Sequence, residues 1–248
     1  MMADTSRRWA SMLAWFAFSA AIAAAIVALL VGPGYRFAWW SLGSAMQAMF
    51  WSAIVAMGAV AIGLIATIFA FQTKAHGSMR LALLGLVIGL AVALPPLTLY
   101  LKAKSLPRIH DISTDTDNPP AFVAVFPLRQ GASNSTEYTA ENAVAQKSDY
   151  PEIAPKVLKS APDEAFAQAE AAARLMDWEI VAVSPADYRI EATATSLLFG
   201  FKDDVVIRVT PHAEGSRIDV RSLSRVGISD LGVNARRIQE FMQRLEAK

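Results

Sequence analysis

The 248-residue chain contains no cysteine and only three histidines. The first absence excludes disulfides, thiolate metal sites, cysteine nucleophiles and iron–sulfur clusters. His76, His110 and His212 lack the neighbouring pattern of a Ser–His–Asp set. A glycine-rich phosphate loop, an HExxH pair and zinc or haem spacing are also missing. With 23 Lys and Arg against 22 Asp and Glu, the net charge is +1, and no basic patch interleaves with aromatics. Nucleic acid is therefore not an expected partner. No catalytic set, metal set or cofactor site emerges.

Charge is missing locally as well. Residues 9–31, 48–71 and 81–101 contain no Asp, Glu, Lys or Arg. Each run supplies the roughly 20 apolar residues that a helix rising ~1.5 Å per residue needs to cross ~30 Å of hydrocarbon. A water-exposed helix of that length would carry a polar stripe, and these carry none. Residues 1–102 therefore read as a three-helix transmembrane domain. The first run is too long for a signal-peptide core and no small-x-small cleavage site follows it, so it is expected to stay as a helix.

Orientation rests on a narrow balance. Arg7, Arg8, Lys74 and Arg80 flank one side, while Arg36, Lys102, Lys104 and Arg108 flank the other. The first helix usually dominates, and its following loop has only Arg36 among Tyr35, Phe37, Trp39 and Trp40. The favoured reading puts the N-terminus in the cytoplasm and the downstream domain outside. Ionisable groups inside the spans would signal transport, and their lack argues against it. Gly85 and Gly89 form a small-xxx-small pair, open to two uses: packing the three helices, or docking a membrane partner. Pro95 and Pro96 should kink or loosen the third helix near its exit.

Residues 103–150 are rich in Pro, Ser, Thr, Asn and Asp, and read as a linker or a loop that hugs the domain. Asp111, Asp115 and Asp117 lack EF-hand spacing, and Asx-turns explain them better than a calcium site. Residues 151–248 read as a soluble α+β domain of order β-α-β-β-β-β-α. This gives an antiparallel sheet with helices on one face. Ser160 is the expected cap of the first helix and Ser229 of the last, whose apolar stripe is Leu231, Ile238, Phe241 and Leu245.

Strand alternation sorts the sheet. Ile190, Ala192, Ala194, Val205, Ile207, Ile218 and Val220 should face the helices. Glu191, Thr193, Thr195, Asp204, Arg208, Asp219, Arg221 and Arg225 then share the other face. That face is either a solvated surface with ordinary cross-strand ion pairs, or a site where Arg208, Arg221 and Arg225 grip an anion bidentately. Lys202, Asp204, Asp230 and Asn234 complete the candidate binding set. Asp203 and Asp204, adjacent on a strand, should point to opposite faces and so cannot form a close acid–base pair. Phe199-Gly200-Phe201 either closes the core or dips into lipid or a partner.

The stretches 189–193 and 198–209, followed by Ser216-Arg217-Ile218-Asp219-Val220-Arg221-Ser222, 224–227 and 229–238, resemble domain-of-unknown-function family 1499. The resemblance covers about residues 109–245. Many relatives open the domain with a cysteine-containing segment that this chain lacks, which argues against shared thiol chemistry. The family has no established activity, so the resemblance implies a fold and not a function. The expected role is a non-catalytic envelope protein, multi-pass in a bacterial inner membrane, with a periplasmic domain. That domain would bind a protein or lipid partner; beside the lipid bilayer, a protein partner would engage either the membrane helices or the arginine-rich sheet face. The alternatives are a small-ligand or lipid pocket between the sheet and the last helix, and a hydrolase using Asp203, Asp204 or Asp230.

Overall fold

The computed structural model describes residues 2–246. They divide into two compact units, the first running to Lys102 with Leu198–Gly200, the second formed by Ala103–Leu197 and the chain from Phe201 onward.

The first unit is three helices, α1 (Met2–Arg36), α2 (Leu42–Gln72) and α3 (His76–Ser105). All three are long and apolar enough to cross a membrane. Their packing inverts that of a water-soluble bundle. The buried positions are small: Ala10, Ala14, Ala17, Ala21 and Ala24 on α1, and Ala56, Ala59, Gly63, Ala66 and Ala70 on α2. Steps of three and four residues put each set on one helix face. The bulky side chains Trp15, Phe16, Leu29, Phe50, Trp51 and Leu64 point outward. Small residues let backbones approach closely where apolar burial gives helices no net attraction. Gly85 shows how close: a Cβ there would lie 2.9 Å from the Phe18 amide nitrogen of α1. A Cβ on Gly89 would meet Val60 of α2 at 2.8 Å. This glycine pair therefore packs the three helices together. Helix α3 runs unbroken through Pro95 and Pro96. The Thr98 hydroxyl donates to the Pro95 carbonyl at 2.9 Å, one of the local adjustments that let prolines persist in such helices.

The second unit contains strand β1 (Asp111–Ser113), a 3-10 turn (Phe126–Arg129), helix α4 (Ala140–Asp149), strand β2 (Lys156–Leu158), helix α5 (Pro162–Arg174), strands β3 (Glu179–Ser184), β4 (Arg189–Thr195), β5 (Lys202–His212) and β6 (Gly215–Ser224), and helix α6 (Val233–Arg244). From β2 onward the order is β-α-β-β-β-β-α. The sheet is antiparallel, with β1 and β2 sharing the outer edge of β6, followed by β5, β4 and β3. Residues 103–150 are more than a connection, since β1 extends the sheet and α4 packs beside it. Gln146 of α4 accepts from the Ser113 amide at 2.9 Å and donates to the Ser113 carbonyl at 2.6 Å. It thereby completes the open edge of β1 as another strand would.

Helices α5 and α6 cover one sheet face. Ile190, Val205, Ile207, Ile218 and Val220 meet Phe166, Ala169 and Ala173 of α5 and Ile238 and Phe241 of α6 in a single core. Phe241 is fully buried and stacks on Trp178 at 5.9 Å between centroids. Both helix starts differ from the Ser160 and Ser229 expectation. Ala161 occupies the α5 cap position with Pro162 behind it, as suits a residue whose missing N–H is an orphan at N1 anyway. At α6 the Asp230 carboxylate accepts from the Gly232 amide at 3.0 Å and the Asn234 amide at 2.5 Å.

Candidate functional site

The other sheet face carries most of the sheet's charged side chains, and much of it is buried. Glu191, Thr193, Asp204, Asp219 and Arg221 are all buried. The cover is the segment between β1 and α4, a strap that crosses the back of the sheet. Phe122 and Val125 of the strap meet Val206 and Leu223 of the sheet in a second, smaller core.

Burying charge is costly unless each charge is paired and hydrogen-bonded, and here strap and sheet supply each other's partners. Arg221 binds both oxygens of Asp111, at 3.0 and 2.7 Å, and donates to the carbonyls of Pro120 and Thr136. Its guanidinium also lies over the rings of Phe122 and Tyr138. Asp204 receives Arg129 from the strap, Arg225 at 2.9 and 2.8 Å, and the Thr193 hydroxyl at 2.8 Å. Glu191 accepts the consecutive amides of Val123, Ala124 and Val125 at 3.0–3.1 Å, together with Arg189 at 3.0 Å. Arg208 and Arg217 share Asp115 and Asp219. Burial pushes the Asp111 carboxyl above its usual range while the Arg221 guanidinium pulls it back. Tyr138 is pushed up chiefly for the same reason, desolvation by burial.

Each residue of the expected binding set can now be placed. Arg221 is buried with its donors engaged inside the chain, so the Arg208–Arg221–Arg225 grip on an external anion gives way to internal pairing. The reason is that β1 and the strap bring Asp111, Asp115 and several backbone carbonyls to guanidinium groups that Asp204 and Asp219 of the sheet already hold. Arg208 and Arg225 keep partial exposure, and Lys202 at the start of β5 is exposed. Asp203 points to the helix face and pairs with Arg237 of α6 at 2.6 Å. Asp204 points to the strap, so the two carboxylates stand on opposite faces. Asn234 is fully buried. It accepts from the Ser222 hydroxyl at 2.7 Å and donates to the His110 carbonyl at 2.9 Å and to the Ser224 hydroxyl at 3.0 Å. Asp230 is raised from its ordinary value, chiefly by burial, with the two helix-start amides opposing the shift. It holds the helix start and forms no pair with Asp203.

The acids of β1 and the strap also part company. Asp111 goes to Arg221 and Asp117 to Lys147 at 2.7 Å. Asp115 closes an Asx-turn, accepting from the Asp117 and Asn118 amides at 3.2 and 2.8 Å. Among the described residues no His, Asp and Glu group has metal-holding geometry. Sequence reasoning missed Arg129, Arg189 and Arg217. The latter two stand two residues before Glu191 and Asp219 on the same sheet face, a period-two signal that was available. Arg129, a single base closing an apolar stretch, was the only trace of the strap's anchor.

Open grooves flank α6, while the space beneath it is filled by Phe241. One, of about 340 Å³, lies between residues 152–156 and Ile238, Gln239 and Met242. Another, of about 230 Å³, is lined by Met176, Trp178, Thr195, Arg236 and Glu240.

No curated protein matches this chain. A family model described as "Protein of unknown function (DUF1499)" matches residues 111–245, from the first residue of β1 to the residue after α6. That match covers more than half of the chain and every strand of the sheet, and the protein therefore belongs to the DUF1499 family.

Proposed function

We propose that this protein is a non-catalytic, membrane-anchored binding protein whose soluble domain engages a protein or lipid partner. In this reading it is a multi-pass protein of a bacterial inner membrane, with the domain on the periplasmic side. The observation that carries the reading is the strap-to-sheet ion-pair network. Acids and bases that could move protons are spent holding the strap, which favours a rigid presenting surface over turnover. Members of the expected set that still reach solvent, Lys202 with the edges of Arg208 and Arg225, are the contact points assigned to the partner. The small-ligand reading draws its support from the groove of about 340 Å³ beside α6, within the size range of ligand pockets.

Photo-crosslinking in native membranes tests the choice. A photoreactive residue at Lys202 or Arg208 should give a discrete protein or lipid adduct, and one at exposed Glu214 should not. Adducts of equal pattern at all three positions, or small-molecule turnover by the purified chain without any adduct, would reject the binding reading.

A further inference from the structure

The strand register gathers one set of loops at one end of the soluble domain. The end of β4 with Leu197 and the start of β5 lie there, because Thr195 pairs with Lys202. So does the end of β6, where Arg225 donates its amide to the Lys202 carbonyl. The Phe126–Arg129 turn joins them through the Leu128 carbonyl, which accepts from Arg225 at 2.7 Å. The segment before β1 arrives at the same place: Ser224 and Asp230 donate their amides to His110 and Ile109, and the Ser229 hydroxyl donates to Pro107.

Exposed bulky apolar side chains concentrate at that end. Phe126 is 62% exposed, Leu128 51%, Leu197 90% and Ile228 65%. Leu175, also well exposed, sits just before the start of β3 at the same end. The opposite end is built from loops 159–163, 185–187 and 212–215, whose side chains are polar or small, such as Lys159, Asp163, Asp187, His212 and Glu214. Among the described residues of the second unit, the other exposed bulky apolar side chains, Val123, Val144 and Val157, lie on the strap, on α4 and on β2. A cluster of exposed bulky apolar side chains concentrated at one end marks an interaction surface.

Chain connectivity selects the occupant. Helix α3 ends at Ser105 and β1 begins at Asp111. At about 3.3–3.6 Å per residue, that connection reaches no more than roughly 20 Å. The apolar end is thus the one tied to the terminus of a helix long and apolar enough to span a bilayer. Lys102, Lys104 and Arg108 flank the tie, the residue type that anionic headgroups attract. We propose that Phe126, Leu128, Leu197 and Ile228 form a lipid-contacting rim that seats this end of the domain in the headgroup region of the bilayer. The inference rests on the membrane-anchored reading and names a partner of that domain as the lipid surface itself.

The absence of cysteine makes the test direct. Single substitutions Phe126→Cys, Leu197→Cys and Ile228→Cys in the full chain are labelled with an environment-sensitive fluorophore after reconstitution into vesicles containing anionic phospholipid. Labels at the rim should shift to the blue and lose intensity to nitroxide-bearing lipids more than to aqueous iodide. A label at His212→Cys should show the reverse. Phe69→Cys, inside α2, serves as the control for the membrane reading. If Phe69→Cys is not quenched by lipid, the anchored reading fails. If Phe69→Cys is quenched by lipid but the rim labels respond only to iodide, the rim proposal alone fails. Rim labels shielded from both quenchers would mean that protein covers this end, which also overturns the proposal.

Discussion

At the scale of single residues, the domain's economy lies in where its arginines find acceptors. Arg221 contacts Asp111, Pro120 and Thr136, residues some 85 to 110 positions away in the chain. Removing one partner of a buried pair leaves an uncompensated charge, at a cost of about 3–5 kcal/mol. Replacing both partners by apolar groups of similar volume is often close to neutral. Arg221→Ala should therefore lower the unfolding free energy by about that amount, whereas Asp111→Leu combined with Arg221→Met should recover most of it. Chemical denaturation of the detergent-solubilised chain, followed through Trp178, the domain's single tryptophan, reports both. Equal losses in the single and double variants would mean that the strap is not held by this pair. The sequence marks Arg221 as a sheet-face residue through its period-two spacing from Asp219. Nothing local marks Asp111 as its partner, because that pairing exists only once β1 has joined the edge of β6, where Ser113 stands opposite Arg221 and Asp111 two residues along.

At the scale of elements, legibility followed periodicity. The four long strands and the two helices behind them could be read because alternation and helical spacing each put apolar residues on one face. The strap, β1 and α4 could not. They are rich in turn formers, and β1 is only three residues long, too short to show an alternation. What makes β1 a strand is tertiary: the free edge of β6 and the side chain of Gln146. Helix α6 shows the other extreme, since Ile238, Phe241 and Leu245 of its expected stripe bury as read, while Leu231 falls before the helix start and stays half-buried. Phe241, stacked on Trp178, has no room to relax. Truncating a buried phenylalanine costs about 3–5 kcal/mol, so Phe241→Ala should shift the denaturation midpoint of the domain strongly and raise the exposure of Trp178 in the native baseline. A midpoint unchanged from wild type would place the contribution of α6 elsewhere.

At the scale of the whole molecule, two solvents write two different sequence patterns. In the helical unit alanine and glycine lie inside and the bulky residues outside. In the domain, isoleucine, valine and phenylalanine lie inside and charge is admitted only in pairs. The first pattern is what lipid requires, because side chains gain little by leaving it and helices associate by close packing. A chain with three such helices that crosses the bilayer each time must put its two ends on opposite sides. The proposed orientation, with the N-terminus in the cytoplasm, rests on the lone Arg36 among the aromatics at the end of α1, against Arg7 and Arg8 near its start. Alkaline phosphatase, active only outside the cytoplasm, should then be active when fused after Lys248 and inactive when fused after Lys74. A fluorescent reporter that matures only in the cytoplasm should give the opposite pair. The reversed pattern would invert the orientation while keeping the three spans. Activity of one reporter at both positions would mean that α3 does not cross, because Lys74 and the soluble domain would then share a side.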